Sequence, residues 1–228
     1  MTGLLVVVPT EREHAALTRA SAAVVCGVGS EAGAALAEIL AARRPSLVLL
    51  AGFAGALDPS LKAGTTILAR ESTTAGGEPL APDVASNKLI EAALHQSRRP
   101  FVRSRLLTVD GPVMRASEKR DLWNTHGAGG VDMETHAVAE ACVAAGIPWV
   151  ALRVVLDGAG QSMPKGIAEW HGDSDDKGVA LAALKRPQDW PGFVRLAIQY
   201  PKARTALRRS VRLAVRAVNA EAAPTAST

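Results

Sequence analysis

Aromatic side chains are scarce in this chain: one tyrosine, three phenylalanines and four tryptophans, 4% of 228 residues. That scarcity argues against an aromatic-rich β-sandwich. The 48% hydrophobic content is carried instead by Ala, Val and Leu, the composition of helices stacked on a sheet. Cysteine is nearly absent as well. Cys26 and Cys142 each sit in an apolar run with no disulfide framework or metal-ligand spacing around them, so both read as buried free thiols of a cytoplasmic protein. No zinc motif and no Ser-His-Asp pattern occurs, and neither His126 nor His136 has a nucleophile or metal partner nearby in sequence. No apolar run approaches the length of a membrane span, and no basic N-terminal segment leads into an apolar signal core, so a soluble, intracellular chain is expected. Excess charge is small too: 26 Lys+Arg against 22 Asp+Glu give +4, too little to call for nucleic acid.

What is present reads as one α/β domain over residues 1–220, followed by a disordered tail over 221–228. The chain is organised around 131–157, VDMETHAVAEACVAAGIPWVALRVVLD. Ala137, Val138, Ala141 and Cys142 recur at helical spacing, and Gly146 with Pro148 ends that helix. WVALRVVL is apolar on both faces except for Arg153, which suits a central strand covered on both sides and obliges the arginine to find a partner. Asp157 follows at the strand's carboxyl end, where open α/β sheets place their ligands. Asp132 and Glu134 precede the helix, whose N-terminal dipole and free N–H groups favour carboxylates.

Upstream, LLVVV at 4–8 reads as a buried first strand, with Glu11 and Glu13 in the first turn of the helix after it. VVCGVGSEA at 24–32 matches G-x-G-x-x-A, but an earlier strand precedes it and no ribose-binding acid ends the next strand. The glycines are therefore assigned to close packing rather than to a dinucleotide. Leu47–Leu50 reads as a strand running into a small-residue loop, AGFAGAL, where backbone amides can approach a ligand. Arg103–Val109 is a further strand, and a short helix containing Trp123 begins at Ser117.

VDMETHAVA with Arg153-Val-Val-Leu-Asp157 resembles the Glu-Met-Glu…Arg-x-x-Ser-Asp signature of the nucleoside phosphorylase and nucleosidase superfamily, above all the methylthioadenosine/S-adenosylhomocysteine nucleosidases. AGFAGALDPSLKAGTTILARE is similar to that superfamily's Gly-Ser-Ala-Gly-Gly-Leu…Leu-Lys-x-Gly-Asp segment. The resemblance implies a three-layer sandwich with a central mixed sheet flanked by helices, a homodimer, and cleavage of the N-glycosidic bond of a purine nucleoside without metal or redox cofactor. By the same resemblance Asp157 protonates the departing purine, Glu13 activates water and Arg153 holds the carboxylates. Glu134 takes the ribose hydroxyls beside Met133 and Asp132, and Gly52, Phe53, Ala54 and Val113 contact substrate. Four positions depart from the pattern. Phe53 and Leu50 replace the serine and arginine that contact phosphate in phosphorolytic members, which favours water as nucleophile. Pro112 replaces a base-stacking aromatic, and Leu156 replaces a serine beside Asp157. A phosphorylase and a nucleoside-binding protein without catalysis remain the alternatives.

Residues 158–187, rich in loop formers, read as a lid. After them Ala203, Leu207, Val211 and Val215 line one face of a helix, while Arg204, Arg208, Arg212 and Arg216 repeat at every fourth residue on another. This is the pattern of a basic helix able to lie on an anionic membrane at the inner face, or of a charged face solvated while the helix packs on the domain. The C-terminal third resembles the hopanoid-associated phosphorylases, which implies adenosylhopane as substrate.

Overall fold

The computed structural model describes residues 3–17, 21–164 and 187–222. Along them lie β1 (Leu4–Val8), α1 (Glu11–Leu17), β2 (Ala23–Val25), α2 (Glu31–Arg43), β3 (Leu47–Ala56), β4 (Thr66–Thr73) and α3 (Val84–Gln96). β5 (Phe101–Thr108), α4 (Ala116–His126), β6 (Gly130–Asp132), α5 (Thr135–Ala145), β7 (Trp149–Asp157) and α6 (Trp190–Ala222) follow. Most of the expected lid and tail, residues 165–186 and 223–228, lies outside the described residues.

The strands pair in the order β2-β1-β3-β6-β5-β4-β7, and β7 returns to pair with β3. The sheet is mixed, as the sequence implied: β6 and β4 run antiparallel to β3 and β7 respectively, while the remaining neighbours are parallel. Because β3 is long, its first half holds β1 on one side, and its last residues then take β6 there, Gly55 opposite Val131 and Ala56 opposite Gly130. With β7 along its other side, five strands close into a ring and only β2 and β1 extend beyond it.

Alternation along the strands sends side chains to two cores. Val48, Leu50, Ala151 and Val155 meet Leu36 and Leu40 of α2 and Val138 and Cys142 of α5. Leu49, Ala51, Val150, Leu152 and Val154 meet Ile90 and Leu94 of α3 and Leu207 and Val211 of α6. Helices therefore cover both faces, and each fully buried Leu or Val contributes roughly 1.5–3 kcal/mol. Cys26 and Cys142 are buried free thiols, as read from their apolar runs.

One segment differs from the sequence reading. AGFAGAL is the second half of β3 rather than a loop, because β7 pairs with it without interruption from Ala51 to Ala54 and again at Gly55 after a bulge. Glycine and alanine have low strand preference, and here the partner strand decides. α6 continues through Pro201, whose missing N–H would have bonded the carbonyl of Ala197; both residues are exposed, which leaves that carbonyl open to solvent. Of the glycines at 27, 29 and 33, the first two adopt φ of 89° and 68°. A Cβ on Gly33 would fall 2.8 Å from the carbonyl oxygen of Ala137, so this one sets the approach of α2 to α5.

The apolar face of α6 is spent on the core: Ala203, Leu207, Val211 and Ala214 are fully buried. Arg204 and Arg216 are exposed and Arg208 and Arg212 half-buried along its flanks. Among the described residues, no helix is long and apolar enough to cross a membrane.

Candidate active site

Arg153 stands in the middle of β7 with no exposed surface and points to the α5 side of the sheet. A buried guanidinium demands carboxylates, and the turn between β6 and α5 supplies two. Arg153 Nε lies 2.9 Å from Asp132 Oδ2, and Nη2 lies 3.1 Å from Glu134 Oε2. Nε also donates to Thr135 Oγ1 at 3.1 Å. Asp132 caps the start of α5, its Oδ1 accepting the N–H groups of Glu134 at 3.2 Å and Thr135 at 3.1 Å and the Thr108 hydroxyl at 2.9 Å. Glu134, at the N-cap position itself, makes no cap bond and turns to the arginine instead, with the Gly29 N–H donating to its Oε1 at 3.4 Å. Burial, opposed by Arg153 and reinforced by the charges of Asp132 and Glu13, pushes the Glu134 carboxyl up to about 7.

A third carboxylate arrives from α1. Glu13 is 5% exposed; its Oε1 accepts the Phe53 N–H at 2.7 Å, and its Oε2 accepts the Thr10 N–H at 3.1 Å and hydroxyl at 2.9 Å. Burial raises its proton affinity, and the field of Arg153 partly offsets the rise. Gly52 makes this meeting possible, since a Cβ there would lie 2.5 Å from Glu13 Oε1 and closer still to Arg153 Nη1. The sequence reading gave Gly52 to the ligand; its neighbours are the arginine and the glutamate behind the site.

At the far end of β7, Asp157 is 7% exposed and ion-paired to Lys119 of α4, which is 1% exposed. Lys119 Nζ also donates to the carbonyls of Gly158 at 3.1 Å and Gln161 at 3.0 Å. Burial raises the Asp157 carboxyl, and Lys119 pulls against that rise. Sequence reasoning passed over Lys119. Its signal was a lysine in line with Leu122 and Trp123, at i+3 and i+4, on the inward stripe of a short amphipathic helix.

Between these groups lies a cavity of about 220 Å³ lined by Glu13, Phe53, Ala54, Val113, Lys119, Asp132, Met133, Glu134 and Asp157 among others. Val28, Val109, Met114, Leu156 and Met163 complete apolar walls. Eight of the ten expected site residues thus line one cavity, with Arg153 and Gly52 directly behind it. Leu50 does not reach it, being packed in the core between β3 and α2, so among the departures at the phosphate-contacting positions only Phe53 bears on the cavity. The Phe53 ring leans on Tyr200 of α6, centroids 5.7 Å apart at 56°. His136 is buried outside the cavity, its N–H donating to Thr108 Oγ1 at 2.9 Å. Among the described residues, no group of three or more His, Cys, Asp or Glu is placed to hold a metal ion.

The sequence profile of the phosphorylase superfamily matches residues 17–186. The chain belongs to the phosphorylase superfamily. Its enzymatic character follows from that membership, and the fold agrees. A methylthioadenosine/S-adenosylhomocysteine nucleosidase of Neisseria meningitidis, solved with methylthio-immucillin-A, superposes with a TM-score of 0.72 at 15% identity, covering 95% of this chain and 99% of its own. Futalosine hydrolase of Helicobacter pylori gives 0.68 at 13% identity, over 96% and 98% of the two chains. The Colwellia psychrerythraea nucleosidase, solved with adenine, gives 0.68 at 17% identity, over 95% and 96%. No curated protein matches. The likeness to these superfamily structures is one of fold, and the carboxylates of the cavity are this chain's own.

Proposed function

We propose that this enzyme hydrolyses the N-glycosidic bond of a purine nucleoside, adenine being the expected base. The observation that carries the reading is the convergence of Glu13, Glu134 and Asp157 on one small, apolar-walled cavity, two of them backed by a buried arginine and the third by a buried lysine. Breaking the bond places positive charge on the ribose and negative charge on the base. Glu134 and Glu13 stand where an electron-poor sugar would be favoured, and Asp157, some way along β7, can protonate the base. The ribose hydroxyls would donate to Glu134 with Met133 against the sugar. Glu13, its carboxyl raised by burial, would take the proton of the attacking water.

Water is preferred to phosphate because Phe53 fills the place of a phosphate-contacting side chain with an apolar ring. Release of adenine from adenosine derivatives in phosphate-free buffer tests this directly. An absolute phosphate requirement with ribose 1-phosphate as product would instead make the enzyme a phosphorylase, and tight binding without release would make it a binding protein.

A finer reading concerns where the substrate resides. α6 passes from Pro164, which packs on Gly192 beside the pocket-lining Met163, to Tyr200 on Phe53. Over that span Trp190, Val194 and Ile198 are 52%, 59% and 71% exposed in one stripe. Apolar side chains beside a cavity, on a helix rich in arginine, fit a cytoplasmic, homodimeric enzyme that meets an anionic membrane and takes a lipid-linked nucleoside such as adenosylhopane. Binding to anionic vesicles that weakens with salt, and falls on changing Trp190 and Ile198 to serine, is the expected result; indifference to such vesicles at low ionic strength removes this reading and leaves a water-soluble nucleoside.

A further inference from the structure

We infer that Lys119 is a positioning residue that holds a transferable proton against Asp157, so that the leaving-group acid of this site is the Lys119–Asp157 pair rather than Asp157 alone. The inference rests on the nucleosidase reading above. Lys119 is as deeply buried as Arg153, yet it serves none of the carboxylates around that arginine. Its three N–H donors have three acceptors: Asp157 Oδ2, the carbonyl of Gly158 and the carbonyl of Gln161. Of these only Asp157 carries charge, and both Lys119 and Asp157 line the cavity.

A carboxyl group must hold a proton in order to give one. Left alone beside a cavity open to water, it must retain that proton at neutral pH through burial only. Paired with an ammonium in bonding contact, it shares one proton that rests on nitrogen or on oxygen, and the pair is neutral overall in either arrangement, which suits a site with little solvent. The other charged groups lining the cavity are Glu13 from α1, Asp132 at the end of β6 and Glu134 from the turn before α5, with Arg153 of β7 behind them. Glu118, the neighbour of Lys119, turns away to accept the N–H of Arg115.

The step balances. As the C1′–N9 bond breaks, its electron pair goes to the purine and N7 takes a proton from Asp157. Lys119 Nζ supplies the proton that Asp157 gives up, and the neutral amine left behind is recharged from solvent. Water bonds to C1′, and its proton goes to Glu13.

The test compares two leaving groups in the native enzyme, Lys119→Met and Lys119→Gln. A purine nucleoside needs its base protonated, whereas 4-nitrophenyl riboside releases a stabilised anion that does not. Both variants are expected to lose about a hundredfold in kcat/KM on the nucleoside, the scale of a lost general acid. They should stay within about threefold of native on the nitrophenyl riboside, which shows them folded. On the nucleoside, the alkaline limb of the pH profile should move down by at least about one pH unit, because the proton is then held by a carboxyl alone and no longer by the ammonium of the pair. Parallel losses on both substrates, or an alkaline limb that stays in place, would overturn the inference and make Lys119 a clamp on the 158–161 turn. Native protein that cleaves the nitrophenyl riboside but no purine nucleoside would overturn the nucleosidase reading with it, whereas native cleavage of the nucleoside with unchanged ratios in the variants overturns the role of Lys119 alone.

Discussion

Replacing Gly52 by alanine adds one methyl group at the most crowded point behind the cavity. The new Cβ would stand 2.5 Å from Glu13 Oε1 and 3.2 Å from its carboxyl carbon, with Arg153 Nη1 nearer still. An ordinary contact needs about 3.5 Å, so both side chains must retreat by about 1 Å. Neither has freedom to do so. Glu13 is tied to the Phe53 and Thr10 backbone, and the other two nitrogens of Arg153 are held by Asp132, Glu134 and Thr135. Overpacking of this kind costs about 2 kcal/mol, which for a domain of this size lowers Tm by about 4–8 °C. The effect on turnover should be larger than that modest loss suggests, because the displaced group is the one assigned to water: a shift of about 1 Å in a reacting group costs on the order of a hundredfold. Thermal unfolding and adenine release measured on the same preparation separate the two effects. A Gly52→Ala protein with native kcat would show that Glu13 need not sit where it does, and would remove it from the mechanism.

Three further substitutions address the other charges. Asp157→Asn should keep fold and nucleoside binding while base release drops at least about a hundredfold, and near-native turnover would rule out the acid role. Because the Glu134 carboxyl sits at about 7, it is protonated below that pH and ionised above it. Ribose hydroxyls donate more strongly to the ionised form, so kcat/KM should fall as pH drops through about 7, and Glu134→Gln should abolish that acidic limb and weaken the preference for ribose over 2′-deoxyribose; an unchanged limb assigns it to another group. Arg153→Met leaves Asp132, Glu134 and Glu13 buried without their shared cation and should cost about 3–5 kcal/mol in urea unfolding, a loss that native-like stability would contradict.

The architecture was legible where side-chain period and burial agree. β7 and α5 stood out because an apolar run interrupted only by Arg153, a glycine cap and a proline coincide within 27 residues, and Gly146 does close α5 with φ of 66°. The carboxylates were legible as positions at strand and helix ends, and eight of ten expected residues meet at the cavity. What sequence left hidden depends on partners far along the chain. The second half of β3 looks like a loop because its partners lie far along the chain, β7 about a hundred residues later and β6 at its last two residues. Lys119 looks like one charge among three in Ser-Glu-Lys-Arg, and nothing local says that Asp157 waits 38 residues on. The basic ladder of α6 was visible, but its apolar side turned out to be committed to Ile90, Leu94 and the sheet rather than left free.

The bulge near the end of β3 acts as a ruler. Gly55 lies opposite Val131 on one side and Asp157 on the other, and a Cβ there would touch both, at 3.3 Å from Val131 Cγ1 and 3.5 Å from Asp157 Oδ1. The Val131–Glu134 segment, assigned to the sugar in the proposed function, and Asp157, assigned to the base, are thereby registered on one residue through main-chain ladders. On the proposed reading, variation in what the cavity accepts falls to its other walls, the 109–114 segment and the edge formed by 156–163. If the proposed roles hold, an enzyme of this build can change the size and polarity of what it accepts at those walls while the span between Glu134 and Asp157 stays the same length.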